Sequence, residues 1–298
     1  MFLAIDHSYS SYSIIQMEKK TIGFIGGGRI VQALIDGLIV RDHLKTTNVW
    51  VSCPSVNNDN SSLKRYGTLI QTTTSNKTLC LQCNLIILAI KAKLADSICI
   101  EIANELGSSR LQQILFVSVI PGVTISTVTR WFAGLANVIR IMYNVTVAGC
   151  NGSYAISTRQ HSLKHLENDL QIIFNRVAFF AGELTENELD IACALLGSGP
   201  AFFCTAVEGL ADGAVKAGLS RRLANALAAR TMLGCADLLV STSKHPAELK
   251  DEVATPAGTT IYGLHELENR AVRGAFMEAL MSAFNRAQMM SQQYEKND

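Results

Sequence analysis

The sequence predicts an α/β fold class in two parts, a doubly wound and mostly parallel sheet followed by an all-helical region. Three observations predict it. Short β-branched runs alternate with amphipathic segments up to about Glu183, a glycine-rich turn follows the first of those runs, and from Asn187 to Tyr294 helical signals stand almost alone. Alternation of this kind implies parallel strands joined by right-handed crossovers, with helices covering both faces of the sheet.

Thr21–Ile25, Val49–Ser52, Leu85–Ile90, Leu115–Val119 and Val138–Met142 read as strands. Val31–Ile39, Leu94–Leu106 and Ile125–Phe132 read as the helices between them. Gly152–Ile156 and Val177–Phe180, around a helix near Leu163–Phe174, extend the sheet. In the second part Pro200 opens a helix that Gly218 closes, and Ser220 caps the next. That next helix, Leu223–Val240, is apolar on nearly every face and needs burial on all sides, which a second copy of the chain would supply. Another helix starts at Pro246, breaks at Thr255-Pro256-Ala257-Gly258 and restarts at Thr259-Thr260; Phe276–Met290 is the last. The expected organisation is a floppy extension over residues 1–16, a sheet domain over 17–183 and a helical domain over 184–298.

At 298 residues, with 48% hydrophobic and 17% charged, the chain can bury a large core and is not disordered over most of its length. A net charge of +1 offers nothing to nucleic acid or to an anionic membrane, and no apolar run approaches bilayer-spanning length. The eight cysteines are scattered, mostly in apolar stretches, as in a reducing compartment; a cytoplasmic protein is expected. Cys80 and Cys83 form a CxxC with no second pair, so neither a zinc site nor a redox motif is expected. The first 16 residues hold no Lys or Arg and include Asp6, which argues against a secretory signal and an Arg-rich transit peptide.

The turn after the first strand, Gly26-Gly27-Gly28-Arg29-Ile30 following Ile25, has the form of a dinucleotide-binding loop. Gly26 permits the tight turn, and Gly28 lets backbone approach a pyrophosphate on the helix N-terminus. The third fingerprint position, ordinarily Gly or Ala, is Val31, whose bulk should push the helix slightly off the strand unless the packing adapts. Together with the strand–helix alternation, this turn makes the first part a Rossmann domain. No acidic residue occurs in the segment 49–58, where NAD-specific proteins place one to bind the ribose hydroxyls. Ser52, Ser55 and the N–H groups of the turn holding Cys53 can donate to a 2′-phosphate, so NADPH is the expected cofactor, with NADH possible.

The restart at Thr259 leaves free N–H groups and two hydroxyls at a helix N-terminus, a natural cradle for a carboxylate, though equally the mark of a well-capped αα-turn. Residues 246–268, PAELKDEVATPAGTTIYGLHELE, resemble the C-terminal signature of the pyrroline-5-carboxylate reductase family, in which a glycine–threonine turn holds the substrate carboxylate. The resemblance runs from Thr21 to the chain end with motif order kept. LAIK resembles the family's cofactor-lining LAVKP and implies Ala89, Ile90, Lys91 and Ala92 at the cofactor; Asn76 matches an asparagine near the adenosine. SVIPGVT resembles SxAAGVT beside the nicotinamide and implies Val119, Ile120 and Pro121 there. RIMYN resembles RxMPN, and LLGSGPAFF resembles LSGSGPAY. Ala92, Pro121 and the MYNVT stretch depart from the pattern; Pro121 removes an N–H near the expected nicotinamide.

The resemblance implies that Thr260 is the catalytic position, binding the substrate carboxylate and orienting the ring. Val253, Thr255, Gly258 and Thr259 complete the substrate site, and Glu252 falls near the cofactor. Glu186 matches a position that reaches the substrate, or is simply a helix-N-terminal glutamate in TENELD. Arg140 and Lys91 are cofactor contacts or strand-end charges, and His245 and His265 are surface or packing residues. The implied function is reduction of 1-pyrroline-5-carboxylate to L-proline with NAD(P)H, in a homodimer or a larger assembly of dimers. The alternatives are an NADPH-binding relative that has lost turnover, and a reductase of another cyclic imine.

Overall fold

A computed structural model describes residues 21–42, 48–59, 61–158 and 163–295; the expected extension over 1–16 lies outside the described residues. Among the described residues eight strands form one sheet: β1 (Ile22–Ile25), β2 (Val49–Ser52), β3 (Gln71–Thr73), β4 (Leu85–Leu88), β5 (Leu115–Ser118), β6 (Asn137–Tyr143), β7 (Gly152–Ser157) and β8 (Ala178–Glu183). Their order is β3-β2-β1-β4-β5-β6-β7-β8, and every pairing is parallel except the antiparallel β6–β7 pair. The helices on the sheet are α1 (Arg29–Asp42), α2 (Asn76–Gln82), α3 (Ala95–Glu105), α4 (Ser108–Leu111), α5 (Ile125–Trp131), α6 (Lys164–Phe174) and α7 (Glu186–Ala192). A π-helical turn, Cys193–Ser198, leads to α8 (Gly199–Lys216), α9 (Arg221–Thr242), α10 (Pro246–Val253), α11 (Thr259–Asn269) and α12 (Val272–Glu295).

The strand LIIL of β4 shows why both faces are covered. Leu85 and Ile87 point into one apolar cluster, with Phe24, Val31, Val51 and Val117, while Ile86 and Leu88 point into a second, with Ile25, Leu79 and Phe116. A strand with alternate residues buried on opposite faces must be a near-continuous apolar run, as these are. Val31, whose bulk needs the packing to adapt, is fully buried within the first cluster.

Two compact units divide the chain, one ending at Gly197 and resuming at Phe284, the other holding Ser198–Ala283. Residues 186–197 pack with the sheet unit, held by polar contacts to β6 and to the residue after it. Asn144 Nδ2 donates to Leu196 O at 2.8 Å, and Arg140 is paired with Glu186 and Asp190.

The helical unit follows its sequence signals. Pro200 lies in the first turn of α8, Gly218 takes φ 110° after its end, and Ser220 Oγ accepts from Leu223 N at 3.4 Å to cap α9. Among the described residues of this unit only Gly199, Ala211 and Ala224 are buried, while Leu210 is 63% exposed, Tyr262 73% and Met277 64%. One expectation is corrected. Glu186–Lys216 and Arg221–Thr242 are, by length and composition, long and apolar enough to cross a membrane, with mean hydropathies of 1.5 and 1.3. Gly, Ala and Ser spread that hydropathy thinly, so no unbroken apolar run shows it.

Candidate active site

The glycine turn lies where the strand order reverses, between β1 and β4. Gly26 N donates to Ser52 O at 2.8 Å, and Ala89 N donates to Ile25 O at 2.9 Å. Gly26 adopts φ 106°, and a Cβ there would stand 2.3 Å from Ala89 O, so only glycine fits. Gly28 is the opposite case: nothing lies within 4 Å of where its Cβ would be. Open backbone at the start of α1, which has no acidic residue in its first turn, fits a pyrophosphate at the switch point of a doubly wound sheet. Arg29 and Ile30 follow on the first turn of α1.

At the end of β2 the structure redistributes the expected roles. Ser52 is 2% exposed, and its hydroxyl donates to Asn76 Oδ1 at 2.7 Å, so Ser52 orients Asn76 rather than facing a phosphate. Cys53 Sγ lies 3.1 Å from Ser55 Oγ, and Ser55 is exposed. A cleft of about 180 Å³ opens beside the turn, lined by Gly27, Ser55, Asn58, Ser61, Ser62 and Leu63. Gln32 Nε2 holds its two sides together, donating to Gly27 O and to Ser62 Oγ, both at 2.8 Å. Asn58, Ser61, Ser62 and Gln32 were not expected at this site. Their signal was the polar run SVNNDNSS, which could not show that it folds back onto Gly27.

Beyond β4, Ala89 and Ile90 are half-buried, Lys91 is exposed, and Ala92 starts a short 3₁₀ turn. The segment Val119–Thr124 joins β5 to α5. Val119 N donates to Leu88 O at 3.2 Å, Ile120 is buried, Pro121 is exposed and Gly122 has φ 69°. Arg140, read as a possible strand-end charge, is instead buried on β6 at 5% side-chain exposure. It donates from Nη1 to Glu186 Oε1 at 3.1 Å and from Nη2 to Asp190 Oδ1 at 2.6 Å. Glu186 Oε1 also accepts from Ile125 N at 2.8 Å. A small crevice is lined by Ser118–Pro121, Arg140–Met142, Leu189 and Cys193. Tyr143 is buried against Phe174, donates to Ile30 O at 3.3 Å, and has its phenol pushed far up by burial.

In the helical unit, His245 Nδ1 accepts from Ala247 N at 3.2 Å and caps α10, a structural role. Glu252 is exposed and paired with Lys244. The break between α10 and α11 is a turn in which Gly258 N donates to Thr255 O at 3.0 Å and Ala257 takes φ 55°. A Cβ on Gly258 would meet Thr255 Oγ1 at 2.3 Å, so a larger residue there would have to displace the Thr255 hydroxyl. Gly258 is the N-cap of α11 and supplies no side-chain bond to its N–H groups. Thr259 is exposed and Thr260 half-buried on that first turn, which carries no acidic residue; Val253 and Thr255 flank it, exposed. Among the described residues no cluster of His, Cys, Asp or Glu could hold a metal ion.

The sheet topology and the open glycine turn define a dinucleotide-binding protein of the doubly wound α/β class. Comparison narrows the class. Residues 186–290 match the family described as pyrroline-5-carboxylate reductase dimerisation, and residues 21–128 match NADP oxidoreductase coenzyme F420-dependent. The chain is 36% identical over 278 residues to pyrroline-5-carboxylate reductase 3 of Mus musculus, covering 92% of this chain and 97% of that protein. It is 34% identical to pyrroline-5-carboxylate reductase of Methanosarcina acetivorans, covering 91% and 98%. Among solved structures it is similar to the Plasmodium falciparum pyrroline carboxylate reductase with NADP bound, at TM-score 0.81 and 27% identity, covering 92% and 99%. The Coxiella burnetii pyrroline-5-carboxylate reductase gives TM-score 0.78 and 27% identity, covering 91% and 98%. The chain belongs to the pyrroline-5-carboxylate reductase family.

Proposed function

We propose that the protein binds NADPH along the C-terminal ends of β1, β2, β4 and β5 and binds its substrate's carboxylate at the start of α11. It is an NAD(P)H-dependent oxidoreductase that reduces 1-pyrroline-5-carboxylate to L-proline. The observation that carries this reading is similarity to the mouse enzyme over 92% of the chain. The glycine turn and the Gly258–Thr260 helix start both fall inside the matched families.

The roles follow from the geometry of each unit. Gly26–Gly28 and the first turn of α1 hold the pyrophosphate; Asn76, set by Ser52, faces the adenosine; Ser55, Asn58, Ser61 and Ser62 offer donors to a 2′-phosphate. Because ligands of such sheets lie beyond the strand ends, the segment after β5, Val119–Pro121, is placed beside the nicotinamide. When bound, the cofactor supplies a hydride to an electron-poor imine carbon. Thr260, with the N–H groups after Gly258, holds the carboxylate and so fixes the ring. Glu186 Oε1 is taken by Arg140 and Ile125, so in this assignment a reach towards the substrate falls to its other carboxylate oxygen. No acid–base dyad is required, because a cyclic imine can arrive protonated and the protein has mainly to orient the reactants.

The exposed apolar faces of α8, α9, α11 and α12 are surfaces for a second copy of the chain, in a homodimer or an assembly of dimers. Light scattering at micromolar concentration in detergent-free buffer checks this; a monomer would overturn it. The lost-turnover alternative weakens, because Val31 and Tyr143 are absorbed into the core and only Pro121 remains as its support. The decisive assay follows NADPH absorbance with 1-pyrroline-5-carboxylate. Consumption with proline formed supports the reading. NADPH binding without consumption would leave a binding protein, and consumption with a six-membered imine alone would change the substrate.

A further inference from the structure

We propose that Glu186, held by Arg140, which Asp190 holds in turn, is a positioning residue that straps the nicotinamide-side turn Val119–Thr124 to the sheet. The inference rests on the placement of the nicotinamide beside that turn. Three elements meet at one carboxylate oxygen. Ile125, the first residue of α5, donates its N–H to Glu186 Oε1 at 2.8 Å, and Arg140 of β6 donates to the same oxygen at 3.1 Å. Asp190, one turn further along α7, takes the other guanidinium nitrogen at 2.6 Å.

The side chains of Arg140, Glu186 and Asp190 are 5%, 24% and 14% exposed, so the charges are largely out of water. Burying three charges costs desolvation that a packed apolar contact would avoid, so stability alone does not account for them. What the cluster adds is direction. The turn leaves β5 after Ser118, whose register partner on β6 is Arg140, and it ends where Ile125 is tied. Its entry is fixed by Val119 N donating to Leu88 O at 3.2 Å, and its exit by Glu186 together with Thr124, whose Oγ1 caps α5 by accepting from Thr127 N at 3.2 Å. Between these points Pro121 and Gly122 have no ladder to hold them. The crevice lined by Val119, Ile120 and Pro121 is closed on its far side by Arg140 and by Leu189 of α7. Moving Glu186 thus removes the tie between the turn's exit and the sheet, leaving the Thr124 cap, the glycine turn and the serine-lined cleft in place.

The test uses the full chain and two ligands: NADPH, which reaches the turn, and 2′,5′-ADP, which carries only the adenosine end. Glu186→Ala should weaken NADPH by about tenfold, as loss of a charge-assisted hydrogen bond does, and leave 2′,5′-ADP within about twofold. Glu186→Gln, whose amide oxygen still accepts from Ile125 and Arg140, should recover NADPH binding to within about threefold. Asp190→Asn should show a smaller loss with the same selectivity. Equal weakening of both ligands, loss of 2′,5′-ADP binding in all three variants, or unchanged NADPH binding in Glu186→Ala would overturn the proposal. Val119→Trp separates the two layers of inference: it should block NADPH and spare 2′,5′-ADP. If it spares both, the nicotinamide placement fails and the strap with it; if it blocks NADPH while Glu186→Ala does not weaken it, the strap alone fails.

Discussion

Ser52 donates its hydroxyl to Asn76 Oδ1 at 2.7 Å, tying the end of β2 to the first residue of α2. The serine that the sequence offers to a 2′-phosphate is thereby spent on another task, and the exposed Ser55 remains. Ser55→Asp should shift preference from NADPH towards NADH by charge repulsion in a cleft that has no acidic lining residue. Ser52→Ala should instead cost about 1 kcal/mol of stability, the worth of a part-buried hydrogen bond, and loosen Asn76 for both cofactors alike. Steady-state kcat/KM with each cofactor distinguishes them; a parent that already favours NADH strongly would refute the assignment.

Two glycines of one turn should fail in different ways. Gly26→Ala forces a side chain onto Ala89 O at 2.3 Å in a left-handed backbone, so the fold should lose stability and expression should fall. In Gly28→Val the added Cβ has nothing within 4 Å, so its melting temperature should stay near the parent's while NADPH binding disappears. Intact NADPH affinity in Gly28→Val would move the pyrophosphate elsewhere.

The buried thiols set a pH limit. Cys80, Cys83 and Cys99 are fully buried, and desolvation pushes each thiol from about 9 up to about 12. The unfolded chain releases these protons at lower pH than the folded protein, so stability is lost as pH rises from about 9 towards 12. The slope is at most about 1.4 kcal/mol per pH unit for each thiol. Melting temperatures at rising pH should fall more steeply in the parent than in a Cys80→Ala, Cys83→Ala, Cys99→Ala variant. Identical slopes would show that the thiols do not govern alkaline unfolding.

The parts of the fold that sequence shows are those where one physical signal decides. Continuous apolar strands bounded by glycine turns are legible, as are the cap at Ser220 and the helix start at Pro246. β3 is not, because Gln71–Thr73 is a mostly exposed polar edge strand with no alternation to see. α2 has a readable cap, Ser75 accepting from Thr78 N at 3.1 Å, but it is too short to show a helical period. The site shows the same division. The glycine turn and the Gly258–Thr260 start are local and readable, whereas the Arg140 cluster joins residues 46 and 50 apart, and only tertiary folding brings them together.

The start of α11 carries the most specific expectation. If Thr260 orients the carboxylate through its hydroxyl, Thr260→Val keeps the shape of the side chain and removes its donor and acceptor. A carboxylate losing a charge-assisted hydrogen bond should lose about 1.5–3 kcal/mol, or roughly ten- to a hundredfold in kcat/KM. NADPH affinity should survive, since Gly26–Gly28 belong to the other compact unit. The competing role is purely local: Gly258, the N-cap, gives the helix no side-chain bond, so the threonine hydroxyls could simply serve the free N–H groups of α11. That role predicts the opposite pattern, a lower melting temperature with activity per folded molecule nearly intact. Measuring kcat/KM and melting temperature on the same preparation decides between them. Full activity with reduced stability would make Thr260 a helix-start residue and return the carboxylate to the backbone N–H groups alone.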